Sequence, residues 1–381
     1  MSSTSPTFVT LTYKTCGKVP IKLDVYPPTA TITTARAKAL NEVPAVLWFH
    51  GGGFTFANRT NFFPKWLQQR INDAGCAFVS ADYRLIPTGS ITAHHILEDV
   101  KDAFAFLRSE RFEGALDALD IGGNLGFPKF RIDPGRIAAG GSSAGGTCAY
   151  FAAAHVQPKP AAVLSVFGMG GDVLNSQYLA PKTEPFLKGR PLLNPNRSKD
   201  YIYPFSPSVA SDILSDSPLA FYPPTATLPA LPANPRMPLA LLYIQLGNYL
   251  DYYTGEHEPS LSDTLRAVGP SIDAETRPGM KKIILRKHVP TQHHAIFPQL
   301  NVSASWPPIF LLHGAEDTAV PTAESKNLYR MLKHWGVQAK LKIVDGEDHF
   351  FDQDPDAEQK HGDIFDEAAS FLIEKLHRRD Q

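Results

Sequence analysis

Two glycines bracket a serine in Gly141-Ser142-Ser143-Ala144-Gly145, directly after the short apolar run Arg136–Gly140 and before a stretch of small residues. On a sharp turn from strand to helix, this G-x-S-x-G spacing lifts the serine hydroxyl above the sheet, and the helix behind it aims its amides at the same spot. Ser142 competes for the role, but the spacing from both glycines selects Ser143. A serine hydroxyl is a weak nucleophile. An imidazole must take its proton, and a carboxylate must hold that imidazole in the right tautomer. His349, in Asp345-Gly346-Glu347-Asp348-His349-Phe350, and Asp317, in His313-Gly314-Ala315-Glu316-Asp317, supply these types later in the chain. Glu316 is the rival acid. Upstream, His50-Gly51-Gly52-Gly53-Phe54 brings three consecutive glycines, whose backbone can approach a ligand and turn its amides inward. Acyl transfer requires such fixed donors where negative charge develops. The amides of Gly52, Gly53 and Ala144 are the expected set. Taken singly, the glycine run reads equally well as an ordinary turn, and any one of the 13 histidines as a structural residue.

Each of these groups must be carried to one place, and the surrounding pattern does so. Ala45–Phe49, Cys76–Ala81, Arg136–Gly140, Ala162–Phe167, Ile309–Leu312 and Leu341–Val344 are short apolar runs of the kind that form strands buried on both faces of a parallel sheet. Phe8–Tyr13 and Ile21–Tyr26 alternate apolar and polar residues, as half-buried strands do. Helical spacing marks residues 64–74 and 91–109, where Ile96, Val100, Ala103, Phe104 and Leu107 share a face; helices are also expected over 322–335 and 361–378. Alternating strands and helices predict an α/β fold with a mostly parallel central sheet flanked by helices. The serine, the acid, the histidine and the glycine run each follow a predicted strand. The alternation breaks over 168–305, which divides the chain into a catalytic domain of 1–167 and 306–381 and a Pro-rich cap inserted between them. Nine of the 33 prolines fall between Tyr201 and Pro238, which excludes a regular helix or a central strand there. Leu239–Leu246 reads as a helix within the cap.

At these residues the chain resembles the α/β-hydrolase superfamily, near the hormone-sensitive-lipase-like, carboxylesterase-type serine hydrolases. His50–Phe54 and Gly141–Gly146 are similar to that family's two motifs, and Asp82-Tyr83-Arg84-Leu85 to its D-Y-R-L segment. Serine, then acid, then histidine is its chain order. Two departures stand out: Ser142 occupies a position where the family often has Asp, and the family's cap usually draws on an N-terminal extension, whereas here the cap is expected to come from 168–305. From His313 to Phe350 the chain is equally similar to prolyl-oligopeptidase-type catalytic domains, although no repeat here could build their propeller. Capped hydrolases with a Pro-rich insert also resemble fungal enzymes of specialised metabolism. The resemblance implies an α/β-hydrolase fold with a triad of Ser143, His349 and Asp317, no cofactor, and a small apolar ester or lactone as substrate. A transacylase, cyclase or peptidase would use the same triad; a non-catalytic small-molecule-binding protein usually lacks one of its members.

Composition excludes other classes. The net charge is −1 and no run of Lys or Arg forms a basic arm, so neither nucleic acid nor an anionic membrane is an expected partner. Lys375, His377, Arg378 and Arg379 read as a solvated helix end. Cys16, Cys76 and Cys148 are odd in number and far apart, suggesting neither disulfides nor zinc. No secretory leader is read at Met1–Pro6, and no run approaches the roughly 18 apolar residues of a membrane helix. A cytoplasmic protein is the expectation, with Asn58, Asn196 and Asn301 as accidental N-x-S/T matches. The pairs His94-His95 and His293-His294 lack a carboxylate at metal-ligand spacing, so no metal is expected. Gly122–Gly126 lacks the strand and the G-x-G-x-x-G spacing of a nucleotide loop. Asp99 is expected to be structural. Among the many aromatic residues, Phe54 and Phe350 are the expected substrate-pocket members.

Overall fold

The computed structural model describes residues 8–29, 42–120, 127–211, 213–223, 232–268 and 278–378. Almost all of 29–42, which reads as a loop in the sequence, Gly122–Gly126, the N-terminal Met1–Pro6 and Arg379 lie outside the described residues.

The described residues form eight strands: β1 (Val9–Cys16), β2 (Val19–Tyr26), β3 (Glu42–Phe49), β4 (Ala77–Ala81), β5 (Arg131–Ser142), β6 (Val163–Val166), β7 (Ile309–Gly314) and β8 (Ala339–Val344). They form one sheet in the order β1-β2-β4-β3-β5-β6-β7-β8. The two alternating strands β1 and β2 pair antiparallel at one edge, and every pairing beyond β4 is parallel. The central strands explain why their sequences read as unbroken apolar runs. Ala45, Leu47 and Phe49 of β3 join the core on one face, and Val46 and Trp48 join the core on the other. A strand covered on both sides leaves no position for a polar residue. Strand β5 begins earlier than Arg136. Its pairing with β3 jumps from Val43↔Ile132 to Ala45↔Ile137, and Pro134 falls in the irregular stretch, where a missing amide costs no ladder bond.

Helices α1 (Lys65–Asp73), α2 (Ala93–Leu107), α3 (Glu110–Leu119), α4 (Ala144–His155), α5 (Leu239–Leu246), α6 (Tyr249–Thr254), α7 (Leu261–Val268), α8 (Pro278–His288), α9 (Ala323–His334) and α10 (Ala357–His377) surround the sheet. Helices α2, α4 and α9 cover one face, and α1 and α10 the other. The start of α2 is closed by a capping box in which the Thr92 amide donates to His95 Nδ1 at 3.1 Å. Asp99 on α2 is buried and accepts the Arg84 amide at 2.8 Å, the Arg84 guanidinium and Lys14 Nζ. Asp82, the first residue of that D-Y-R-L segment, takes the Arg59 guanidinium at 2.8 Å, while Arg59 Nε reaches Asp24. The D-Y-R-L segment thus ties the sheet edge to α2 and to the loop after β3.

Between β6 and β7 the described residues contribute helices and turns but no strand to the sheet. Among the described residues of Tyr201–Pro238 there is one short α-helix, Pro207–Ser211, with its proline in the first turn, where no amide is needed. The three cysteines are unpaired. No helix among the described residues is long and apolar enough to cross a membrane.

Candidate active site

Ser143 sits where β5 ends and α4 begins, with φ 52° and ψ −121°. A side chain rarely adopts this backbone, and it survives only where its surroundings hold it. Here they do. The Ser143 amide donates to Val166 O at 3.0 Å, and the Ser143 carbonyl accepts from the amides of Gly146 and Met169 at 2.9 and 3.0 Å. The second motif glycine is required by close approach: a Cβ on Gly145 would lie 2.0 Å from the carbonyl oxygen of Phe49. The chain after β3 therefore runs directly against the serine turn.

That chain carries the glycine run. His50 is buried, stacks on Tyr83 with ring centroids 4.3 Å apart, and bonds Gly51 O through Nδ1 at 2.7 Å. Burial pushes its pKa down to about 4, so it is neutral at physiological pH. Tyr83 donates its hydroxyl to His50 O at 2.8 Å. These bonds consume the carbonyls of the loop and leave its amides. Among the described residues, no backbone carbonyl accepts from Gly52, Gly53 or Ala144. Gly53 has φ 60°, and a Cβ there would stand 2.3 Å from Ala240 Cβ on α5.

His349 and Asp317 come from the loops after β8 and β7. His349 Nδ1 lies 2.7 Å from Asp317 Oδ2. Asp317 Oδ1 accepts the amides of Ala319 and Val320 at 2.9 and 2.8 Å. Glu316 is exposed, whereas Asp317 is buried, so it is Asp317 that meets the histidine. Sequence reasoning missed His313, whose Nε2 lies 3.2 Å from Asp317 Oδ2 and 2.9 Å from Val320 O. Facing two acceptors, that nitrogen carries the proton, and Nδ1 accepts from Ser325 Oγ at 2.7 Å. Burial works to raise the Asp317 pKa, but the hydrogen bonds from His313 and His349 outweigh it and hold the carboxyl well below the usual carboxylate range. Asp348 fixes the His349 backbone by accepting its amide at 2.6 Å, and itself pairs with Lys188 at 3.0 Å. No hydrogen bond joins Ser143 to His349 among the described residues. The two meet through Phe167, whose ring centroid lies 4.5 Å from that of His349 and which follows Val166, the acceptor of the Ser143 amide. Such bonds are often long without substrate and tighten in the complex.

Against the first turns of α4 lies a small apolar cavity lined by Phe54, Thr147, Met169, Tyr178, Tyr249 and Tyr253, among others. Thr147 is one helical turn along α4 from Ser143. Phe350 is not among the lining residues: it stacks on Phe62 at 4.5 Å on the side of His349. Thr147, Met169 and Tyr178 carried no signal in the sequence, because only the fold brings them to Phe54. Tyr178 donates to Glu324, a buried carboxyl at the start of α9 that also accepts the amides of Gly170 and Gly171. The paired histidines serve elsewhere: His94 Nε2 bonds His293 Nδ1 at 2.8 Å, and His293 Nε2 bonds Glu256 at 2.7 Å. The described residues contain no group of three or more His, Cys, Asp or Glu that could hold a metal.

Comparison with known proteins agrees with this architecture. Residues 46–220 match the α/β hydrolase fold family and residues 286–378 the prolyl oligopeptidase family. Among solved structures, an α/β hydrolase superfamily protein from Enterococcus faecalis superposes with a TM-score of 0.59 at 16% identity, covering 97% of this chain and 100% of that one. Thermogutta terrifontis esterase 2 with bound propionate superposes at 0.54 and 16% identity, covering 98% and 97%. Among curated proteins, the non-reducing polyketide synthase ausA of Aspergillus calidoustus is 27% identical over 90% of this chain, which spans 13% of that protein. The non-reducing polyketide synthase pkbA of Emericella nidulans is 26% identical over 96% of this chain, which spans 14% of it. The parallel sheet, the strained serine at its turn and the two family matches together show an α/β-hydrolase fold, with a C-terminal part similar in sequence to the prolyl oligopeptidase family.

Proposed function

We propose that the chain is a serine hydrolase that cleaves a small apolar acyl ester or lactone through an acyl-enzyme on Ser143. The observation that carries this reading is the Asp317–His349 hydrogen bond, taken together with a serine in the strained turn between β5 and α4. His349 Nε2 takes the hydroxyl proton as Ser143 attacks the substrate carbonyl. The amides of Gly52, Gly53 and Ala144 receive the oxyanion, and Asp317 stabilises the imidazolium. His349 then returns the proton to the leaving group, and water attacks the acyl-enzyme by the same route. In this reading, 168–305 forms a cap over the site and Phe54 borders the acyl pocket. Phe350 borders the entrance beside His349.

The polyketide-synthase relatives favour a second reading, in which the acyl group arrives as a thioester and leaves to water, to an alcohol or to a group of its own chain. The triad and the oxyanion donors would act identically. A panel of esters, thioesters, lactones and peptides, with products identified by mass spectrometry, tests both. The first reading expects turnover of short esters that is lost in Ser143→Ala. Turnover confined to thioesters selects the second, and turnover surviving Ser143→Ala sinks both.

A further inference from the structure

Arg236 lies in the proline-rich part of the β6–β7 segment, and its side chain is only 5% exposed. A buried guanidinium ordinarily requires a carboxylate, because removing its charge from water is costly. Arg236 has none among the described residues; its neighbours are carbonyl oxygens and the ring of Tyr201. Burial accordingly pulls its pKa down to about 10, which still leaves it charged.

The carbonyls it holds are informative. Nε donates to Thr55 O at 2.8 Å, Nη2 to Ile86 O at 2.7 Å and Nη1 to Pro87 O at 3.2 Å. Thr55 closes the turn of the glycine run, its amide donating to Gly52 O at 3.0 Å, and the Ile86 amide donates to Phe54 O at 2.9 Å. One rigid fork therefore grips both strands of chain that fix the backbone on either side of Gly53. Two further groups from the same segment press on that point: Ala240 fills the space beside Gly53, and the Tyr249 hydroxyl donates to Gly53 O at 3.2 Å.

We propose that Arg236 is a positioning residue for the oxyanion hole, by which the β6–β7 segment aims the amides of Gly52 and Gly53. This rests on the serine-hydrolase reading above. Lysine cannot reproduce the fork, because it offers a point charge in place of a planar set of donors. The hole tolerates little displacement, since a misplacement of about 1 Å costs on the order of 100-fold in rate.

The test uses the full chain with Arg236→Lys and Arg236→Met. It measures the rate of Ser143 phosphonylation by an alkyl fluorophosphonate, kcat and KM on p-nitrophenyl acetate, and the thermal midpoint. The expected result is phosphonylation and kcat about 10- to 100-fold slower in the folded Lys variant, lower still in the Met variant, with KM within about twofold of wild type. Variants that react at the wild-type rate overturn the role of Arg236, as does a loss expressed in KM with kcat intact. Failure of both variants to fold makes Arg236 a residue of the fold alone and overturns it too. A wild-type chain that resists the probe overturns the hydrolase reading itself, and this inference with it.

Discussion

Asp317 accepts the Nδ1 proton of His349 at 2.7 Å, and every other hydrogen-bonding site on that carboxylate is occupied. Two amides and His313 hold it in one orientation, so the imidazole bound to it has one tautomer, with the proton on Nδ1 and Nε2 free to accept. The acid is thus a fixed part of the framework.

Asp317→Asn should preserve the fold near neutral pH and lower kcat by about 10³- to 10⁴-fold, because an amide can present its NH₂ to His349 and invert the tautomer. It should also change the response to acid. A carboxyl whose folded pKa is depressed contributes stability above its unfolded value of about 3.9 and loses it as pH falls through the folded value. Denaturant titrations should therefore show wild type more stable than the variant at pH 6, with the gap closing toward pH 2. A gap that widens on acidification would contradict the assignment.

Gly53→Ala places a methyl group against Ala240 and keeps φ at 60°, where a Cβ is disfavoured. Activity should fall about 100-fold or more, as expected for a displaced oxyanion donor. Adding Ala240→Gly removes the collision but not the backbone strain, so the double variant should recover part of the lost kcat. No recovery would mean that the loss arises from the backbone alone.

Glu324 responds to pH in the opposite sense. Burial lifts its carboxyl up to about 8, against the lowering effect of the Tyr178 hydrogen bond. A carboxyl with a raised folded pKa stabilises the fold below its unfolded value of about 4.3 and costs stability as pH rises from there toward 8. Glu324→Gln keeps the shape: its oxygen can take the Gly170 and Gly171 amides and its NH₂ can face Tyr178. Relative to wild type, this variant should gain stability between pH 5 and pH 8, read from thermal or denaturant midpoints. An unchanged difference across that range would show that Glu324 is ionised in the fold.

The scaffold was legible because its strands are buried on both faces and its helices carry regular apolar spacing. Ala45–Phe49, Ile309–Leu312 and Leu239–Leu246 all fall inside elements of the structure. The Asp317–His349 pairing could be anticipated because each residue follows a strand, and strand ends converge on one edge of a parallel sheet. Apart from Leu239–Leu246, the segment between β6 and β7 was not legible. Its prolines remove periodicity, and its consequential contacts are remote in sequence, Arg236 to Thr55 and Tyr249 to Gly53. Glu324 and His313 were hidden for a related reason: nothing in a lone acid on a helix, or a histidine at a strand end, announces the Gly170 and Gly171 amides or a neighbouring carboxylate. Phe350 lies beside its sequence neighbour His349, and its stacking on Phe62 is another contact between residues remote in sequence.

The central claim is that Ser143 is a nucleophile activated by His349. Intact-protein and peptide mass spectrometry after exposure to an alkyl fluorophosphonate tests it without knowledge of the substrate. The account expects one phosphonyl adduct on the Ser143 peptide in wild type, none in Ser143→Ala, and labelling slowed at least about 1,000-fold in His349→Ala. An adduct on another residue, or equal labelling of wild type and Ser143→Ala, would contradict it.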